Sequence, residues 1–477
     1  MKKSEEQHQV ARSVIGRADK RVEDARLVKG AGRFTSDIKQ PNALHVTFIR
    51  STIAYGKIER VDLMAALDRN GVVAAFSGRD VSQLGNLSVA KPLSHTNAPV
   101  FPILADDYVH AVGQPVAAVI SQTPHQGLDA SELFEVAITE EDAETADDSF
   151  YTAASQHWQA GDTLGAFDAA AFIVEVECQH PRLSPCPLEP RAITAKYDNG
   201  NLVVWLSTQT PHRARSELSS ILNIDAARIR VIAPDVGGAF GMKASLYPED
   251  VFVCWAALQL ERTLTWTATR SEDFLAATHG RGSNSKGRLA LDADGHFLAL
   301  EADIKAPLGH WMPTSAAIPA WNAARILPGP YAVKNVDIKT SATLSPTAAV
   351  GIYRGAGRPE AAMLMERLVE KAAATSGVSA QDIRTKNFHC STQFPVIKPT
   401  GNILDSGTYE HALTTLCASA AYQQIRSRRD QLRSAGECAG VGMAFFVEPS
   451  GRGWESAQVT LHKNGTVTAA TGSSTQG

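Results

Sequence analysis

Asp235-Val236-Gly237-Gly238-Ala239-Phe240-Gly241-Met242-Lys243 is the stretch on which the reading of this chain turns. It follows a β-rich run over 228–232 and precedes Pro248, which opens a helix predicted to reach about residue 260. Gly237, Gly238 and Gly241 permit positive φ and let backbone amides approach a ligand, because no Cβ intervenes. The loop is therefore either a cradle for a phosphate or oxyanion, or a tight turn. It is not a nucleoside-triphosphate loop of the Gly-Lys-Ser/Thr kind: Met242 separates Gly241 from Lys243, and Ala244 follows.

Outward from this loop, strands predicted at 202–206, 228–232 and 263–267 alternate with helices over 211–222 and 248–260, which calls for layered α/β structure. The same grammar returns as a strand at 348–353, then Arg354-Gly355-Ala356-Gly357-Arg358, then a helix started by Pro359 and running to about 374. This second loop is no dinucleotide fingerprint, because Glu360 occupies the third glycine position. Arg354 beside a helix amino terminus favours a negative group; the alternative is a structural ion pair. Gln209 follows the 202–206 strand at the mouth of the sheet, where its amide either donates to a ligand or caps a turn. Glu189 is expected to pair with Arg191, and His212, His279 and His310 lack metal-ligand spacing.

Residues 17–148 read as a compact α/β unit with strands at 44–49, 72–76 and 115–120 and a helix at 126–133. The acidic, small-residue stretch 140–155 reads as a linker. Toward the carboxy terminus, irregular chain over 394–407 leads to one helix over 409–433. A hairpin of 458–462 and 467–471 then turns at Lys463-Asn464-Gly465.

The charge balance of 46 basic against 50 acidic side chains supplies no field to recruit nucleic acid or an anionic membrane, so a small molecule or a protein partner is expected. Residues 1–14 are polar, unlike a secretory signal, and no later apolar run is long enough to span a bilayer; a cytoplasmic protein is the expectation. Six cysteines without any Cys-x-x-Cys pair read as buried free thiols, not an iron–sulfur or zinc site.

Taken in order, these segments resemble the molybdopterin-binding large subunits of the xanthine dehydrogenase/aldehyde oxidase family. The early marks are Arg21-Val22-Glu23-Asp24, Leu27-Val28-Lys29-Gly30-Ala31-Gly32-Arg33-Phe34-Thr35, Arg50-Ser51 and Val112-Gly113-Gln114-Pro115-Val116. The later ones are Leu188-Glu189-Pro190-Arg191, Ser207-Thr208-Gln209, the 235–243 loop, Tyr247-Pro248-Glu249 and Tyr353-Arg354-Gly355-Ala356-Gly357-Arg358-Pro359-Glu360. The resemblance implies an α/β (α+β) chain in three parts. An a/b hammerhead domain would span 17–148, a first molybdopterin-binding domain 156–394, and the beginning of a second one 395–477.

It further implies that Gln209 donates to a molybdenum oxo group, that the backbone of Phe240 and Gly241 lies against the metal centre, and that Arg354 stabilises charge on substrate or transition state. Gly237, Gly238, Gly355 and Ala356 would complete the cofactor cradle. The cofactor would be molybdopterin, in the cytosine dinucleotide form, with the metal held by the pterin and not by protein side chains. Iron–sulfur clusters and FAD would reside on a small and a medium partner subunit. The implied reaction is hydroxylation of an aldehyde or N-heteroaromatic substrate with water as the oxygen source. Ala244 stands where purine-oxidising members carry a glutamate, which disfavours xanthine. Gly355-Ala356 stands where carbon monoxide dehydrogenases place a cysteine, which disfavours that reaction. Thr471 to Gly477 resembles the start of a longer family loop, so the chain is expected to stop short of the general-base glutamate. The other expectations are a non-catalytic remnant or scaffold that keeps the partner-binding fold, and a glycine-loop nucleotide-binding protein.

Overall fold

The computed structural model describes residue 18 and residues 20–142, 151–451 and 454–477. The polar terminus 1–14 and the middle of the acidic stretch, 143–150, lie outside the described residues. The chain opens with β1 (Leu44–Arg50), β2 (Val72–Ser77), β3 (Pro115–Ser121) and α1 (Pro124–Ser131). Then come β4 (Thr152–Ala160), β5 (Phe172–Gln179), β6 (Ala192–Asp198), β7 (Asn201–Leu206), α2 (Pro211–Leu222), β8 (Ile229–Ile232), α3 (Pro248–Leu260) and β9 (Leu264–Thr267). Beyond these lie β10 (Asn284–Leu291), β11 (Phe297–Gly309), β12 (Asn335–Leu344) and α4 (Arg358–Ser376).

Two mixed sheets organise these elements, giving the α/β class expected. The first has the order β8-β7-β6-β9-β1-β3-β2, so strands from before and after the acidic stretch share one hydrogen-bonded sheet. Within it β6 and β7 form a tight hairpin, because Asn199 (φ 49°) and Gly200 (φ 80°) supply the two left-handed residues such a turn requires. Proline in the first turn starts α2 and α3. From Val251 to Leu258 helix α3 is apolar on every side, with Val251, Phe252, Val253, Cys254, Ala256 and Ala257 all fully buried. A helix of that composition is stable only when enclosed. Here the inward side chains of β1, β6, β7 and β9, together with Leu218 and Ile221 of α2, enclose it.

The second sheet runs from His95–Thr96 through β4-β12-β11-β10 to β5. Helix α4 lays Leu364, Met365, Leu368 and Val369 on Val174, Val176, Leu289 and Leu300 of that sheet. Gly287 admits the close approach: a Cβ there would stand 2.9 Å from Leu368 Cδ1.

Several sequence expectations are corrected. The tail of the supposed linker is strand β4, with Ala153 and Ala154 fully buried; small residues read as linker composition are there to fit beneath neighbouring chain. Residues 348–353 form no strand, only a single bridge between His279 and Val350. The bridge itself is made by the His279 amide donating to the Ala349 carbonyl (2.8 Å) and the Gly351 amide to the His279 carbonyl (2.9 Å), and it goes no further because the Ile352 amide turns to Ser315 Oγ (3.2 Å). The single helix at 409–433 is two, Tyr409–Ala418 and Ala420–Ser434, divided where Ser419 caps the second by accepting from the Tyr422 amide at 3.3 Å. Of the six cysteines, Cys178, Cys254 and Cys417 are buried as expected, whereas Cys186, Cys390 and Cys438 are exposed. The hairpin of Ala457–Leu461 and Val467–Thr471 is present, and both strands are exposed. No helix among the described residues is long and apolar enough to cross a membrane.

Candidate functional site: two glycine loops that meet

Strands β7 and β8 are parallel, in register from Leu202 opposite Ile229 to Trp205 opposite Ile232. Both therefore leave the sheet at the same end, and the carboxyl end of parallel strands is where open α/β sheets present ligand-binding loops. Strand β7 delivers Ser207-Thr208-Gln209 there, and β8 delivers the 235–243 loop.

The two segments lock together. Gly241 donates its amide to Gln209 Oε1 at 2.9 Å, and Gln209 donates its own amide to the Lys243 carbonyl at 2.9 Å. The Arg354 segment arrives from the opposite side, where the Arg354 amide donates to the Phe240 carbonyl at 2.9 Å. This contact demands glycine at 241. Its φ is 99°, and a Cβ would stand 2.4 Å from Ile352 Cγ2 and 2.5 Å from the Ile352 carbonyl oxygen.

Phe240 (φ 52°) and Ala356 (φ 43°) adopt left-handed backbone without being glycine, between Gly238 and Gly241 in one loop and Gly355 and Gly357 in the other, all at positive φ. Local strain of this kind persists only where the surroundings impose it. Its result is a set of amides aimed away from the chain. Among the described residues, those of Gly238, Ala239, Phe240 and Gly355 find no acceptor in the protein. Arg354 is exposed and forms no ion pair among the described residues. Phe240 is 41% exposed. A third segment closes in: Gln209 Nε2 donates to Gln476 Oε1 at 2.7 Å, and Gly477 lies against Gly238.

Beneath the loops runs a buried ionic layer that sequence reasoning paired wrongly. Glu189 does not bind Arg191. Its Oε2 accepts from Ser207 Oγ (2.7 Å), the Gly237 amide (2.8 Å) and Lys243 Nζ (3.0 Å), while Oε1 accepts from the Thr35 amide (3.3 Å). One carboxylate thus ties four chain segments, and burial of Lys243 holds its ammonium below the usual lysine range. Arg191 turns the other way, to Asp273 (2.9 Å) and Glu249 (3.1 Å), with Tyr247's ring 4.2 Å from its guanidinium. Burial alone would raise the Glu249 carboxyl, but Arg191 and Arg50 outweigh it and hold the group at about 2. Burial does raise Asp250, to about 7. It also depresses His310 to about 3.

The residues expected to form the site, Gln209, Gly237, Gly238, Phe240, Gly241, Arg354, Gly355 and Ala356, thus lie on three interlocked segments. Lys243, Gln476 and Arg281, which bonds the carbonyls of Tyr353 and Arg354, were missed. The one available signal was Arg281 standing between Gly280 and Gly282. A cavity of about 710 Å³ lined by Lys39, His45, Thr47, Arg50, Thr265 and Glu272 includes none of the loop residues.

Residues 144–388 match the molybdopterin cofactor-binding domain, and residues 29–142 match the aldehyde oxidase and xanthine dehydrogenase a/b hammerhead domain. The chain belongs to the xanthine dehydrogenase/aldehyde oxidase family of molybdopterin-dependent oxidoreductases. It is 28% identical to the nicotine 6-hydroxylase large subunit of Paenarthrobacter nicotinovorans, over 98% of this chain and 61% of that protein. It is 29% identical to the carbon monoxide dehydrogenase large chain of Hydrogenophaga pseudoflava, over 95% of this chain and 62% of that one. The solved structure of quinoline 2-oxidoreductase from Pseudomonas putida 86 superposes with a TM-score of 0.92 at 29% identity, covering 98% of this chain and 63% of that one. The chain thus spans about three fifths of the length of these family relatives.

Proposed function

We propose that this chain forms the cofactor-facing part of a molybdenum hydroxylase large subunit. The enzyme oxidises a ring carbon of an N-heteroaromatic compound, or an aldehyde, with water as the oxygen source. The observation that carries the reading is the meeting of Gln209, Phe240-Gly241 and Arg354 around amides that have no acceptor among the described residues. Outward amides and a guanidinium with no ion pair among the described residues suit an anionic group such as a pterin dinucleotide pyrophosphate, and the cytosine dinucleotide form is the one assigned. When bound, the molybdenum–pterin group supplies the oxidising equivalents and the activated water.

The chain's own residues then have separate tasks. Gln209 offers the second hydrogen of Nε2, since its Oε1 is held by the Gly241 amide and the first hydrogen goes to Gln476 Oε1. The glycine-loop amides hold the anion, and the exposed ring of Phe240 offers an apolar face to a flat substrate. Arg354 stabilises negative charge that develops on the substrate. The nicotine and quinoline enzymes among the relatives favour an N-heteroaromatic substrate. Ala244 is buried, and its carbonyl accepts from Thr210 Oγ1 at 3.2 Å, so that position offers no carboxylate to a purine. The loop around Gly355 carries no thiol. Electrons leave through iron–sulfur and FAD-binding partner subunits. Turnover of quinoline by the protein purified with its partners, in isotopically labelled water, should place the label in the hydroxylated product. Label taken from dioxygen instead would contradict the proposal.

A further inference from the structure

Arg281 sits behind the second loop, on a two-residue strand, Gly280–Arg281, that pairs with Arg182–Leu183 and that none of the roles above uses. Its Nη2 donates to the Arg354 carbonyl at 2.6 Å, and its Nη1 to the Tyr353 carbonyl at 3.2 Å and to Glu360 Oε1 at 3.4 Å. Its guanidinium carbon lies 4.8 Å from the centre of the Tyr353 ring. The neighbouring chain is shaped to permit this. A Cβ on Gly280 would fall 2.1 Å from the Tyr353 Cβ, and Arg281 itself takes a left-handed φ of 61°.

A trans peptide points its carbonyl and its N–H in opposite directions. Drawing the Tyr353 carbonyl toward Arg281 therefore turns the Arg354 amide away, and it is this amide that meets the Phe240 carbonyl at 2.9 Å. Drawing the Arg354 carbonyl the same way turns the Gly355 amide outward, where no protein acceptor among the described residues takes it. We propose that Arg281 is a positioning residue: its two-pronged grip on the carbonyls of Tyr353 and Arg354 joins the second loop to the first and aims the Gly355 amide at the bound anion. The last clause rests on the proposed molybdopterin site; the grip itself does not. The planar fork is what matters, because an ammonium at the same place keeps the charge but cannot hold two carbonyls and a carboxylate in one plane.

The test uses the full protein with its partner subunits, comparing wild type with Arg281→Lys and Arg281→Met. Hydrogen exchange is read at the Arg354 and Ala356 amides, both hydrogen-bonded in the fold. Pterin retention after gel filtration and exchange across β10–β12 are the second and third measurements. Exchange at the two amides should rise at least about tenfold in both variants, as expected for loss of charge-assisted bonds. The sheet should keep its protection and pterin retention should fall. Wild-type exchange at these amides in Arg281→Met would overturn the assignment, as would full rescue by lysine, which would leave charge alone as the cause. Protection lost across the whole sheet in both variants would also overturn it, making Arg281 a general support. If wild type carries no pterin but the two amides still lose protection locally, the molybdopterin reading fails and the grip stands.

Discussion

Gln209 shows how a single side chain acquires a direction. An amide can present either oxygen or nitrogen, and the Gly241 N–H settles the choice by occupying Oε1, so that Nε2, with one hydrogen given to Gln476 and one left, is the end on offer. The arrangement depends on a residue with no side chain at all. Gly241→Ala places a methyl inside the Ile352 backbone at a φ that L-residues avoid. The expected cost is about 1–3 kcal/mol of stability, together with separation of Phe240 from Arg354. Thermal unfolding and pterin content of the purified variant check this; an alanine variant with the wild-type melting temperature and a full complement of pterin would contradict it. At this scale the sequence was partly legible. Gln209, Gly241 and Arg354 stood out because glycine spacing and a strand-end amide are local signals. Glu189 was misread because its nearest charge in sequence, Arg191, is engaged by Glu249 and Asp273, and its true partner Lys243 is 54 positions away.

At the scale of the element, α3 carries the site's ionic layer in its first turn. Glu249 and Asp250 begin a helix whose following residues from Val251 to Leu258 are all apolar, which places one carboxylate against Arg191 and Arg50 and leaves the other short of cations. Asp250 caps the helix by accepting from the Tyr247 amide at 3.0 Å, yet burial lifts its carboxyl to about 7. Because the folded state holds this proton more tightly than the unfolded chain, the contribution of Asp250 is most favourable below its ordinary value of 3.8 and is lost as pH rises toward 7. Asp250→Asn keeps an acceptor for the Tyr247 amide and removes the charge. Its stability relative to wild type should therefore grow between pH 5 and pH 8, by an amount on the order of one to a few kcal/mol. Denaturant melts at the two pH values measure it; a difference that shrinks with rising pH would contradict the assignment. The helices were legible element by element, since Pro211, Pro248 and Pro359 mark their starts and apolar spacing marks their faces. The false strand at 348–353 was not. Its apolar run is buried by loops, and its amides go to Ser315 Oγ and the His279 carbonyl, partners that no local pattern reveals.

The whole molecule joins what sequence composition divided. Strands β1, β2 and β3 complete the sheet that β6 to β9 begin, so the segment before the acidic stretch helps hold the edge from which both Gln209 and the glycine loop emerge. Arg50 of β1 bonds Glu249 at 2.8 Å and Glu272 at 3.1 Å, linking that segment to the ionic layer directly. The α/β class was legible from alternating periodicity, and the family from the order of its loops. The shared sheet was not, because strand pairing across more than a hundred residues leaves no mark in a local window. What the assembled fold implies is an anion at the junction of the two loops. Molybdenum and pterin analysis of the protein, purified with any subunits that accompany it from molybdenum-replete cells, addresses that most directly. Stoichiometric molybdenum with a cytosine dinucleotide pterin, lost together in Gly241→Ala, is the predicted result; wild-type protein that is folded yet holds neither metal nor pterin would contradict it.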